Sequence, residues 1–89
     1  NNGRETMNIK PISDLGLIAG LMALGYQPLE KVKEPNGKRI NFMFEADDYF
    51  DQLCEDYYNN RMEVDAFKYF IALKEVKTGI YQLTQLENN

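Results

Sequence analysis

Apolar residues follow three different rhythms along this chain. Leu15, Leu17, Ile18, Leu21, Met22 and Leu24 come almost without interruption and cover most of the circumference of a helix predicted over residues 14–24. A helix that is apolar nearly all round must be enclosed on several sides. Ser13 suits its N-cap, Asp14 puts negative charge where the helix dipole favours it, and Gly25 suits the residue just past its end. From Lys38 to Glu45 the pattern changes to alternation, which predicts a strand with Ile40, Phe42 and Phe44 on one face. Helical spacing then returns. Phe50, Leu53, Cys54, Tyr57 and Tyr58 recur at i, i+3, i+4, i+7 and i+8 and predict a helix over residues 47–59. A third helix is predicted from an Asp65 cap to about Gln82. Its inward face is Tyr69, Phe70, Leu73, Val76, Ile80 and Leu83, widened by Phe67 and Ile71. Its outward stripe is Lys68, Ala72, Glu75, Gly79 and Gln82.

Between the first helix and the alternating strand lies a second strand, over residues 27–33, joined to it by Pro35-Asn36-Gly37. Pro35 suits the first central position of a type I turn, with Gly37 in a left-handed bulge. That loop pairs Glu34 with Lys38, Val32 with Ile40 and Glu30 with Phe42. A two-residue Asn-Gly turn would instead set Lys33 against Ile40 and Lys31 against Phe42. The first register is expected, because it puts Val32 on the apolar face. Pro28 and the paired lysines mark the strand as an exposed edge, and a short third strand over residues 7–9 is a further option. Two strands alone are marginal, so helices must cover the Ile40/Phe42/Phe44 face. The expected fold is α+β: a single small domain in the order helix, β-hairpin, helix, helix (αββαα), spanning residues 7–84. Residues 1–6 are expected to be a flexible tail or expression remnant, and residues 85–89 a C-terminal tail.

Charge is distributed unevenly. The 89 residues carry 14 acidic and 10 basic side chains, for a net charge of −4. Glu45, Asp47, Asp48, Asp51, Glu55 and Asp56 fall within one helix-sized run that holds no Lys or Arg. Outside that run the chain is slightly basic. Asp47, Asp48, Asp51, Glu55 and Asp56 are therefore the candidate contact face for a partner protein with a basic surface. Lys31, Lys33, Lys38 and Arg39 on the hairpin are the alternative candidates, for nucleic-acid phosphates. A chain of pI 4.7 argues against nucleic acid, and edge-strand lysines also serve to block edge-to-edge aggregation.

Catalytic signatures are not found. The chain has no histidine, hence neither the commonest general base nor the commonest metal ligand. Its one cysteine, Cys54, lies on the apolar stripe of the second helix, where a structural thiol is expected rather than a nucleophile. Surface carboxylates along one helix do not face each other across a cleft, as acid/base catalysis requires, and they spread too widely to close a calcium cage. Gly37-Lys38 lacks the spacing of a phosphate loop. No enzyme, metal or cofactor is expected. A lone cysteine favours a cytoplasmic protein. The apolar stretch over residues 15–24 is too short to span a bilayer, which needs about 20 residues. Gly16 and Gly20, four apart, mark a close helix contact, either within the chain or as the seam of a homodimer.

Ile12-Ser13-Asp14, Leu21-Met22-Ala23-Leu24-Gly25-Tyr26, Asn36-Gly37, Ile40 to Glu45, Asp56-Tyr57-Tyr58-Asn59, Val64-Asp65-Ala66 and Leu73-Lys74 together resemble a family of small uncharacterised proteins. That family comes from Gram-positive bacteria, their phages and prophages. The resemblance implies a compact single domain of mobile-element origin and assigns no active site. The expected function is therefore a non-enzymatic accessory protein that binds another protein through its acidic helix, with mimicry of DNA as the sharpest form. A nucleic-acid module using the hairpin and a self-assembling structural component are the alternatives.

Overall fold

The computed structural model describes residues 8–87. The elements run β1 (Ile9–Ile12), α1 (Leu15–Ala23), β2 (Glu30–Lys33), β3 (Ile40–Glu45), α2 (Phe50–Tyr58) and α3 (Ala66–Glu87). The expected α+β order is present, with an added first strand. That strand is Ile9–Ile12, not residues 7–9; Met7, like the expected 1–6 tail, lies outside the described residues. β3 is the middle strand, antiparallel to β1 on one side and β2 on the other.

The hairpin takes the register that the sequence reading set aside. Lys33 pairs with Ile40, Val32 with Asn41, Lys31 with Phe42 and Glu30 with Met43. The turn does form across Glu34–Gly37, with the Gly37 N–H on the Glu34 carbonyl. The Glu34 N–H then donates to the Arg39 carbonyl at 3.0 Å, closing a four-residue loop. Gly37 needs no left-handed backbone; among the described residues only Gly25 and Asn60 have positive φ. Asn41 donates diagonally across the strands to the Glu34 carboxylate at 2.9 Å and holds the pairing. Val32 is consequently on the open face and exposed. Lys31 takes the core-side position and lays its stem beside Gly79 of α3, with its ammonium 6.0 Å from the centre of the Phe42 ring. A lysine stem can cover apolar surface while its head stays wet, which is why a polar residue is tolerated there.

The helices all lie on the Ile40/Phe42/Phe44 face. Lys10 of β1 reaches Asp51 of α2, and Lys31 of β2 packs at Gly79 of α3. α1 contacts both other helices. The helical layer therefore runs α2, α1, α3 above β1, β3, β2, a slab of 42 × 38 × 19 Å. Leu17, Ile18, Leu21, Phe42, Phe44, Phe50 and Val76 form the buried cluster where the layers meet.

Local chemistry sets the helix ends. Asp14, rather than Ser13, is the N-cap of α1: its backbone is extended and its Oδ1 accepts the Leu17 N–H at 3.2 Å. At the other end the Gly25 N–H bonds the Met22 carbonyl and the Tyr26 N–H bonds the Leu21 carbonyl, each at 3.0 Å. That pairing requires a left-handed residue, and Gly25 supplies it with φ +109°. α2 starts later than expected. The Asp47 carboxylate accepts the Tyr49 N–H at 3.1 Å, a local turn that competes with helix and leaves Asp47 and Asp48 ahead of it. Asp65 caps α3 as expected, accepting the Lys68 N–H at 3.0 Å.

α3 differs from expectation in two respects. It continues past Gln82 to Glu87, so that residues 85–87, read as tail, form its last turn. Its buried positions are Ala72 and Val76, whereas Phe67 and Phe70, expected inside, are 71% and 55% exposed and Ile71 is 39% exposed. The packing of α3 on α1 explains this. Two helices approach closely across small side chains, and Ala72, assigned to the outward stripe, provides the contact while the aromatic rings turn away.

Candidate interaction surfaces

The five acidic residues singled out by charge do not form one uniform face. Asp47 is committed to the fold: its Oδ1 accepts the Tyr26 hydroxyl at 2.7 Å as well as the Tyr49 N–H. The Tyr26 bond, chiefly, lowers its pKa from the usual carboxylate value. Tyr26 is in turn pushed up to about 12, first by burial and then by the bond to Asp47. Asp51 pairs with Lys10 at 3.3 Å, and Asp56 with Arg61 at 3.4 Å while also accepting from Gln52 at 3.0 Å. Both are exposed or part-exposed surface pairs, contributing at most about 1 kcal/mol each. Asp48 and Glu55 are exposed and have no ion-pair partner among the described residues. Asp48, just ahead of α2, and Gln52 and Glu55 on its outer side thus face solvent, with Asp51 and Asp56 on its two flanks. Tyr49 stands beside this row, 72% exposed.

The other two tyrosines of the segment are turned to a task the sequence did not reveal. The Tyr57 and Tyr58 hydroxyls both donate to the Asp14 carboxylate, at 3.0 and 3.2 Å, so that one side chain caps α1 and fastens α2 to it. The two rings meet edge to face at 5.1 Å. Burial first, then Asp14, pushes Tyr57 up to about 12, and Tyr58 shifts the same way. Tyr57 also fills the notch at Gly16, and Met62 the one at Gly20. The small-residue stripe of α1 is therefore covered by α2 and the segment following it, not by the hairpin or α3 and not by a second copy. A tyrosine on the inward side of α2 and a glycine one turn into α1 were the available signals.

Of the hairpin cations, Lys31 is folded against Phe42 and Gly79, while Lys38 and Arg39 stand exposed in and beside the loop. Lys33 is exposed at the neighbouring core-side position of the edge strand. Cys54 is half-buried; burial and then the Asp51 charge raise its pKa, with Lys10 opposing, so its thiol is protonated at neutral pH. Among the described residues no three thiol or carboxylate groups converge to hold a metal ion, and no helix is long and apolar enough to cross a membrane.

A three-stranded antiparallel sheet covered on one face by three helices defines a small α+β domain. The chain belongs to the DUF5659 family, a domain of unknown function whose model matches residues 7–82. No curated protein and no solved structure matches the chain.

Proposed function

We propose that this domain is a non-enzymatic protein-binding module whose outer α2 surface, centred on Asp48, Asp51 and Glu55 with Tyr49 at its edge, takes a basic patch of another protein. The observation that carries this reading is a row of solvent-facing carboxylates, of which Asp48 and Glu55 have no cation partner among the described residues, beside a tyrosine ring that is 72% exposed. Such a surface supplies electrostatic steering from the acids and contact area from the tyrosine. Asp47 and Asp56, included from the sequence, support the turn and the helix end rather than contact the partner. With those two engaged, the remaining row is short for a phosphate mimic, so an ordinary protein partner is favoured over a DNA-mimicking role. The resemblance to proteins of Gram-positive bacteria and their phages makes a mobile-element accessory protein in the cytoplasm the natural setting.

The test is capture of the partner by the wild-type chain and by an Asp48→Lys/Asp51→Lys/Glu55→Lys variant with unchanged circular dichroism. Loss of capture is expected, and undiminished capture rules this surface out. The hairpin has no comparable support for nucleic acid, because Lys31 spends its stem on the core side of the sheet edge.

A further inference from the structure

We propose that α3 is the two-fold interface of a homodimer, with two copies of the helix packed antiparallel about an axis between Lys74 and Glu75. α3 carries a larger share of exposed apolar side chains than any other element: Phe67, Phe70, Ile71, Tyr81 and Leu86. The first four, with Lys74 and Thr78 between them, fall at i, i+3, i+4, i+7, i+11 and i+14, the spacing of a helix–helix seam. Alongside this seam run two successive open clefts. One, of about 300 Å³, lies between Phe67, Ile71 and Met22 of α1. The other, of about 430 Å³, is bounded by Lys74, Glu75, Gly79 and Lys31.

The occupant follows from the order of side chains along α3 itself. Read against its own reverse about that axis, the helix sets Lys74 opposite Glu75 twice, once on each side. Phe70 falls opposite Gly79, at the second cleft, where the Lys31 stem already lies against the glycine. Ile71 falls opposite Thr78, and Tyr81 opposite Lys68. Among the described residues neither Lys74 nor Glu75 is ion-paired; the Lys74 ammonium lies 5.3 Å from the centre of the Phe70 ring. A shift of a single position would bring Lys74 onto its own copy, a like-charge contact, so charge selects the register as well as the partner. A self-complementary patch of this kind is what a two-fold interface requires. α2 lies on the far side of α1, so both acidic rows remain free, and the dimer stands or falls independently of what they bind.

Sedimentation equilibrium of the full chain over a concentration series tests this, with a species of twice 10.4 kDa expected. Lys74→Glu and Glu75→Lys should each raise the dissociation constant at least about tenfold, by placing like charges across the axis. The double variant Lys74→Glu/Glu75→Lys should restore dimerisation, and Phe70→Asp should abolish it. All three positions are at the surface, and circular dichroism checks that each variant stays folded. A monomer at every concentration overturns the proposal, as does a dimer indifferent to Phe70→Asp. A double variant no better than either single one overturns the antiparallel pairing.

Discussion

Replacing Gly16 by alanine should weaken the domain, although the same change in an exposed helix would strengthen it. A methyl group built at this position would collide with the Tyr57 hydroxyl and would stand 3.2 Å from Cζ and 3.4 Å from Cε1 of the same ring. The ring has little freedom to retreat, since its hydroxyl is held by Asp14 and its edge by Tyr58. Overpacking of this kind costs about 1–3 kcal/mol, and displacement of a hydrogen bond to a carboxylate costs about 1.5–3 kcal/mol more. Alanine returns about 1 kcal/mol through helix propensity. The net expectation is a loss of roughly 1.5–5 kcal/mol when the bond breaks, and less when Asp14 follows the hydroxyl. Urea unfolding followed by circular dichroism measures it. A double-mutant cycle with Tyr57→Phe identifies the cause: without the hydroxyl, Gly16→Ala should cost at least about 1 kcal/mol less. Gly20→Ala is the contrasting case. Its methyl meets the Met62 sulfur at 2.6 Å, the flexible part of a side chain that can swing aside, so the cost should be smaller. A neutral or stabilising Gly16→Ala, or a cycle that is simply additive, refutes the argument.

Asp14→Ala should cost more than an ordinary cap deletion of about 0.5–2 kcal/mol, because two tyrosine hydroxyls lose their acceptor with it. Asp14→Asn keeps a capping oxygen and should lie between the two in the same unfolding assay. Val32→Thr should change stability by no more than about 0.5 kcal/mol, as expected for an exposed open-face position; a loss well above that would restore the register with Val32 inside. Tyr26 and Tyr57, ordinarily near 10.0, are both held near 12, so their neutral forms are favoured by folding. Their stabilising contribution is complete below pH 10 and is lost as pH rises from about 10 to about 12, which phenolate absorbance recorded alongside unfolding will show. Asp47→Asn should bring the Tyr26 transition back toward its ordinary value and leave Tyr57 where it is.

Repetition made some of this fold legible. α1, β3 and the apolar stripe of α2 each repeat one pattern for two turns or several residues, and each formed where expected. Gly25 ends α1 and Asp65 begins α3 through local chemistry that reads directly from residue type. The hairpin register was not legible. The rule of placing Val32 inside competed with a lysine stem that covers the same area, and sequence does not distinguish a valine from the aliphatic part of a lysine beside a helix. The face of α3 was legible only in part: Val76 and Ile80 pack on the core as expected, but Phe67 and Phe70 were also assigned to the interior, whereas close approach to α1 selected Ala72. At the candidate surface, charge density located Asp48 and Glu55, but not that Asp47, Asp51 and Asp56 had partners from Tyr26, Lys10 and Arg61. Those partners are distant or turn-connected in sequence, and only tertiary packing brings them near.

The middle place of β3 has a consequence for how the chain assembles. During synthesis β1, α1 and β2 emerge from the ribosome before the one strand that joins them, so neither border strand has a neighbour until residue 45 has been added. Closing the loop from Ile9 to Glu45 is a long-range event, which slows folding relative to local contacts. A nascent chain arrested before Ile40 should therefore present α1, the most apolar segment of the protein, with no sheet to shelter it, and be a ready client for the chaperones that wait at the exit tunnel.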